Sequence, residues 1–338
     1  MCIIAIIPLM ISTFISYLVK NQFVAGILFL ALAWIIFQIK EVILALFASY
    51  IIMAALKPSV LWLQSKKIPR IVAILVSYLL VLSLLVLLIF PLVPFFAEQV
   101  QQLLINFPVF VNSAAEALGV KIDEKNVSQI LQFDSLSKNA FAFAGGIFGA
   151  LFSIIAVFAI SFYMLLEYAK IEKALLELFP ENKRARVGKI IEQVDRRLGA
   201  WLRGQIVLSL FIGIITWIVL TLLQLGQYAL PLAVLAGILE IIPTVGPILA
   251  AIPAVIIGLS ISPNLALIMV VVYAGIQLIE NNVLVPRIMQ RAVGMSPIVV
   301  ILGITIGGKF FGIAGALLSI PLISLLVIIY KNVRGEKS

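Results

Sequence analysis

Two carboxylates and one ammonium stand deep inside apolar sequence: Glu240, Glu280 and Lys309. A charge at the centre of a membrane helix costs about 2.5–3.5 kcal/mol or more, so it marks a site or a partner. Glu240 opens the stretch Glu240-Ile-Ile-Pro-Thr-Val-Gly-Pro247. Pro243 and Pro247 each remove a backbone donor and Gly246 permits unusual dihedrals, so a helix must break there. Broken backbone at membrane depth is tolerated only where protein or a water-filled cavity covers it, and transporters use such breaks to present helix ends to a substrate. Glu280 lies in Gln277-Leu-Ile-Glu-Asn-Asn-Val-Leu-Val-Pro-Arg287, where Gln277, Asn281 and Pro286 cluster around it. Two acids in one low-dielectric cleft disfavour simultaneous ionisation, so the pair could bind and release a proton or a cation. The expectation is that Glu240 and Glu280 line one polar cavity near the membrane midplane. Gln277 and Asn281 then supply neutral hydrogen bonds, with Lys309 nearby. The competing reading has Glu280 capping a helix at the interface and Glu240 paired with Lys309 for stability.

Other chemistry is excluded by what is missing. There is no His, which removes Ser-His-Asp and Cys-His catalysis and His-ligated zinc or haem. The single Cys, Cys2, forms no intrachain disulfide and no four-cysteine site. Asp123, Asp134 and Asp195 are the only aspartates and all lie in polar segments, so an intramembrane aspartyl protease is ruled out. No phosphate-binding GxxxxGK[ST] loop occurs. A non-enzyme without metal or cofactor is expected.

The elements that position these residues follow from composition. The chain has 338 residues, 63% apolar and 12% charged, with mean hydropathy +1.22. Soluble domains carry about 25% charged residues, so this is a polytopic, all-α membrane protein. Its apolar runs give about eight membrane segments at roughly 20 residues per crossing. The net charge of +9 sits in short loops, where it sets topology and does not recruit nucleic acid. Lys57–Arg70 carries four bases and no acid, 167–204 has nine bases and six acids, and 96–140 has five acids against three lysines. The positive-inside rule places the first two in the cytoplasm and the third outside. Within 96–140, Val100, Leu103, Leu104, Phe107, Val111, Ala114 and Leu118 step by three and four, an amphipathic helix whose apolar face needs the membrane surface or another subunit. Val187, Ile190, Ile191, Val194, Leu198 and Leu202 repeat the pattern, either as a basic helix on the cytoplasmic leaflet or as a connecting helix packed on the bundle. Residues 1–19 are a further crossing, or translation starts at Met10; the alternatives stay open.

The runs 229–259 and 297–330 are too long for one crossing. As re-entrant hairpins turning near Val245–Gly246 and Gly308–Lys309, each has arms of about 14 residues, or ~21 Å. That arrangement puts Arg287, Arg291 and the C-terminal Lys331, Arg334 and Lys337 on the cytoplasmic side. Gly303 and Gly307, and Gly308 and Gly312, are spaced for close helix contact.

The chain resembles the autoinducer-2 exporter family of bacterial permeases over roughly 22–330. The resemblance rests on Pro58 with Ile68-Pro69-Arg70, on the mid-chain extramembrane segment, and on three ordered blocks: Glu240 to Pro247, Gln277 to Arg287, and Gly307-Gly-Lys-Phe-Phe-Gly-Ile-Ala-Gly315 with Ile320-Pro321. It implies an oligomeric permease of the inner membrane, ion-coupled or passive. Glu240, Pro243, Gly246 and Pro247 match its first block, and Gln277, Glu280, Asn281 and Pro286 its second. The domain plan is then an N-terminal extension (1–21), first membrane helices (22–95), an extracytoplasmic helical segment (96–140), a membrane helix (141–166), a cytoplasmic amphipathic segment (167–204), a core transport region (205–330) and a cytoplasmic tail (331–338). The expected function is a secondary transporter exporting a small polar solute such as autoinducer-2. The alternatives are a monovalent cation/proton antiporter and a non-transporting membrane scaffold. The expected partners are that solute or ion, membrane lipid and further copies of the chain.

Overall fold

The computed structural model describes residues 22–92, 94, 95, 98, 149, 152–243, 245–289 and 296–334. The expected extension 1–21, the segment 96–140 apart from Glu98, and Arg291 lie outside the described residues. Among the described residues regular structure is helical and no strand occurs. In chain order the helices are α1 (Gln22–Gln38), α2 (Lys40–Ser65), α3 (Arg70–Ile89), α4 (Phe152–Leu166), α5 (Tyr168–Glu177), α6 (Glu181–Leu222), α7 (Gly226–Leu239), α8 (Val245–Ile261) and α9 (Pro263–Ile279). A π-helical turn (Glu280–Leu284), α10 (Val285–Met289) and α11 (Pro297–Arg334) complete the set. The chain forms two compact units, 1–47 and 48–338. In the first, α1 is apolar on all sides, as a helix in lipid is.

Five helices are long and apolar enough to cross a membrane: Lys40–Ser65, Arg70–Ile89, Glu181–Leu222, Pro263–Ile288 and Ile298–Asn332, or six if the bent pair α4–α5 counts as one. The protein is thus a multi-pass membrane protein. It carries exposed Leu, Ile, Val and Phe along these helices, as expected where the solvent is lipid. The sequence-based expectation of about eight also counted stretches that are short here: α1 has 17 residues, α7 has 14 and α8 has 17.

Local chemistry explains the breaks. Pro58 lies inside α2 and has no N–H for the carbonyl of Ala54, four residues back. Arg203 of α6 donates Nη1 to that carbonyl at 3.4 Å and to Ala55 O at 3.0 Å. Gly199, one turn earlier, lets the two helices meet, because a Cβ there would overlap the Ala54 carbonyl. Ser262 caps α9 by accepting from Leu265 N at 3.2 Å, with Pro263 in the first turn, the usual N-terminal grammar.

Helix α6 runs unbroken for 42 residues, ~63 Å, about twice the hydrocarbon thickness. Its first half is charged and its second half apolar. Val194 and Leu198 of the expected amphipathic stripe are buried inside the protein, as is Trp201 beside them. The packed reading of that stripe therefore holds, not the leaflet reading. Two apolar clusters organise the unit. Met53, Val60, Ala73, Ile74, Tyr78, Phe158 and Leu165 join α2, α3 and α4. Residues from Leu208 to Ile276 join α6, α7, α8 and α9. Gly213 and Gly237 bring α6 and α7 to backbone contact.

The last helix is folded back on itself. Gly312 has φ 62°, ψ −150°, a region essentially restricted to glycine. A Cβ on Gly307 would overlap the Gly315 carbonyl, and one on Gly303 would meet Ile323 and Ser319. In a straight helix Gly303 and Ile323 would be ~30 Å apart. The reversal is at Gly312, not at the expected Gly308–Lys309. Gly307 and Gly308 stay helical because glycine there serves close packing, and Gly308 faces the Ala316 methyl.

Candidate functional site

Glu240 is the residue at which α7 stops. Its N–H still bonds Ala236 O at 3.0 Å. Ile242 N reaches Leu239 O at 2.9 Å, Val245 N reaches Pro243 O at 2.8 Å and Gly246 N reaches Ile242 O at 2.8 Å. These tight turns replace the ladder that Pro243 interrupts, and α8 then begins at Val245, with Pro247 in its first turn, where a missing N–H is harmless. Gly246 is buried and must be glycine, since a Cβ would land on the Leu239 carbonyl. The break thus lies at 240–243, slightly before the expected Val245–Gly246. Its carbonyl end is tied to α6: Gln205, fully buried, donates Nε2 to Glu240 O at 2.5 Å.

Glu280 sits where α9 gives way to the π-helical turn. Such turns concentrate at functional sites. Gln277 donates Nε2 to Glu280 Oε2 at 3.0 Å. Glu240 is 0% exposed and Glu280 3%, and their carboxyl groups adjoin. Among the described residues neither Glu240 oxygen has a hydrogen-bond partner and neither acid is in an ion pair. The negative end of the α7 dipole points at the same place. Acidic groups are therefore concentrated with no base paired to them among the described residues, an arrangement that suits a proton, a cation or a hydrogen-bond donor on a solute.

The structure brings together Glu240, Glu280 and Gln277, with Pro243, Gly246 and Pro247 shaping the break. It does not bring in Asn281 or Lys309, both of which are exposed. Lys309 forms no ion pair among the described residues, so the pairing of Glu240 with Lys309 is not seen. Pro286 lies in α10, just beyond the π-helical turn.

Gln205 was missed by sequence reasoning, as were three other buried polar groups: Trp201 on α6, one turn before Gln205, Thr216 farther along it, and Tyr273 on α9, one turn before Gln277. Trp201 Nε1, Gln205 Oε1, Thr216 Oγ1 and Tyr273 Oη are all buried without partners among the described residues. The available signal was a polar residue recurring on one face of an apolar helix, at 201 and 205 on α6 and at 273, 277 and 280 on α9.

A third buried carboxylate was missed. Asp195 of α6 accepts from the Tyr50 hydroxyl, from Lys57 Nζ at 2.7 Å and from the Tyr168 hydroxyl at 2.6 Å. Lys57 lies 3.6 Å from the centroid of the Tyr168 ring. Burial, then the adjacent Asp195 carboxylate, push the Tyr168 phenol above its ordinary range, so it remains a donor. This node ties α2 and the start of α5 to α6. At the far end of the chain, Asn332 donates to Gln193 Oε1 at 2.9 Å and accepts from Arg186.

The family model described as AI-2E family transporter matches residues 23–335. The chain is 31% identical over 307 residues to "Putative transport protein YrrI" of Bacillus subtilis (strain 168), covering 87% of this chain and 86% of that protein. It is 29% identical to "Putative transport protein YueF" of the same organism, over 80% of this chain and 79% of that one. It is 26% identical to "AI-2 transport protein TqsA" of Escherichia coli (strain K12), over 88% and 86%. The match spans α1 to α11 and includes both acids and the breaks beside them, and the chain belongs to the AI-2E transporter family.

Proposed function

We propose that the protein is a secondary transporter that exports a small polar solute such as autoinducer-2, with Glu240 and Glu280 as its binding site. The observation that carries this reading is a pair of buried carboxyl groups at two helix breaks, with both Glu240 oxygens unsatisfied. Buried polar groups ordinarily have partners, and an unmade hydrogen bond costs about 1–3 kcal/mol. A hydroxyl-rich solute supplies the missing donors. The paired acids equally favour a second reading, monovalent cation/proton antiport, because a cation or a proton also neutralises them.

In this reading 226–261 and 297–334 are re-entrant hairpins that enter and leave by one face. Helix α7, at 14 residues or ~21 Å, reaches past mid-bilayer without crossing. The basic segments Lys57–Arg70 and 167–204, Arg287 and the C-terminus face the cytoplasm of a bacterial inner membrane, and 96–140 faces outward. The amphipathic stripe Val100–Leu118 joins copies into a homo-oligomer. The rest of the domain plan follows, with 205–330 as the transport core.

Proteoliposomes loaded with autoinducer-2, and a parallel set carrying sodium or potassium gradients and a lumenal pH dye, test the proposal. Flux in one set that is lost in Glu240→Gln and Glu280→Gln, with folding retained, supports it and selects between the two substrates. Flux unchanged by both substitutions overturns the site, and no flux in either set with an intact oligomer favours a scaffold.

A further inference from the structure

We infer that α5 is a membrane-surface helix whose apolar face lies in the headgroup–acyl boundary of the bilayer, on the side where α4 ends. The inference rests on the reading of α4 as a membrane-crossing helix and adds a lipid-binding element that the transport site does not use.

The helix has a distinct surface on each side. Ile171, Leu175 and Leu178 fall at i, i+4 and i+7, with Phe179 just beyond, and all four are exposed, Leu178 to 77%. Lys170, Lys173 and Glu177 occupy the opposite side. Lys170 pairs with Glu167 at 3.0 Å and Lys173 with Glu177 at 3.9 Å. A third side rests on α6, where Leu176 reaches Gly188. No residue of α5 is buried. Four charges in ten residues, Lys170, Glu172, Lys173 and Glu177, exclude the hydrocarbon core, while Ile171 and Leu175 on α5 and Leu178 at its C-cap, exposed on one stripe, disfavour bulk water.

Geometry selects the occupant of that stripe. The chain bends by 72° between α4 and α5. Membrane helices tilt about 20° from the normal, so α5 lies within roughly 40° of the membrane plane. Helix α4 also exposes apolar side chains, at Phe152, Ile155 and Tyr163. The bend is held in place: Arg70 donates to the Leu165 carbonyl at 3.0 Å, and the Tyr168 hydroxyl holds Asp195. A helix fixed near flat at the end of a lipid-exposed one, with its paired charges on the outer side, fits a lipid surface.

The test uses the full chain in phosphatidylcholine–phosphatidylglycerol liposomes. Single cysteines replace Ile171, Leu175, Leu178, Lys170, Lys173 and, as a control, Ile155, on a Cys2→Ser background. Each carries a spin label, and collision with oxygen, which concentrates in the bilayer, is compared with collision with a water-soluble nickel chelate. Oxygen should dominate at 171, 175 and 178, and nickel at 170 and 173. Nickel access at 171, 175 and 178 with oxygen dominant at 155 would place α5 in water and overturn the inference alone. Closure to both reagents with broadening between labels would put a second copy on that face and also overturn it. Nickel access at 155 would overturn the crossing of α4 and the inference with it.

Discussion

Asp195 lies on α6, whereas Glu240 ends α7 and Glu280 ends α9; all are buried carboxyl groups, and the two sites are treated in opposite ways. Asp195 is wrapped by two hydroxyls and an ammonium drawn from α2 and α5, so its charge is neutralised and its oxygens filled. Ten residues along α6, ~15 Å, Gln205 holds the end of α7 by its backbone and leaves the Glu240 carboxyl unfilled. The first arrangement is that of a structural joint. The second is that of a site whose partners come from outside the chain. Burial of an acid alone does not distinguish the two; the inventory of donors around it does.

Substitution should separate the two regions. The largest expected effect is on transport. Glu240→Gln and Glu280→Gln keep shape and remove charge, so flux in proteoliposomes should fall more than tenfold, a loss above ~1.4 kcal/mol, while thermal unfolding changes little. Asp195→Ala should do the reverse. It strands Lys57 and two phenols, and breaking a buried pair costs about 3–5 kcal/mol; unfolding in detergent should show that loss, with flux per folded molecule retained. A smaller effect is expected at the joint between the regions. Gln205→Leu leaves the Glu240 carbonyl unbonded, worth about 1–3 kcal/mol, and should lower both stability and flux. The smallest is Lys309→Ala, within about 0.5 kcal/mol and with normal flux; a large transport defect there would return Lys309 to the site.

Much of the site was legible because acids inside apolar runs are conspicuous and because Pro243, Pro247 and Gly246 announce a break. Lys309 is exposed and the reversal falls at Gly312; only backbone dihedrals tell which of Gly303, Gly307, Gly308, Gly312 and Gly315 turns the chain. Asp195 was illegible because its partners are 138 and 145 residues away in Lys57 and Tyr50, and in sequence it reads as one more charge in a solvated segment. Gln205 was hidden by its place at the edge of that segment. The periodicity of 187–202 was read correctly as amphipathic, but periodicity does not say whether lipid or protein covers the face. Conversely, the short exposed stripe of α5 drew no notice beside it.

The most direct test of the central claim needs no knowledge of the solute. A transport site must open to both sides of the membrane in turn, whereas a structural carboxylate pair need open to neither. Gln277, half-buried and bonded to Glu280, is replaced by Cys on a Cys2→Ser background, and an impermeant thiol reagent is applied to sealed right-side-out and inside-out vesicles in separate experiments. Modification from both sides is the expected result. A folded protein that reacts from one side only, or from neither, would contradict a carrier built on Glu240 and Glu280.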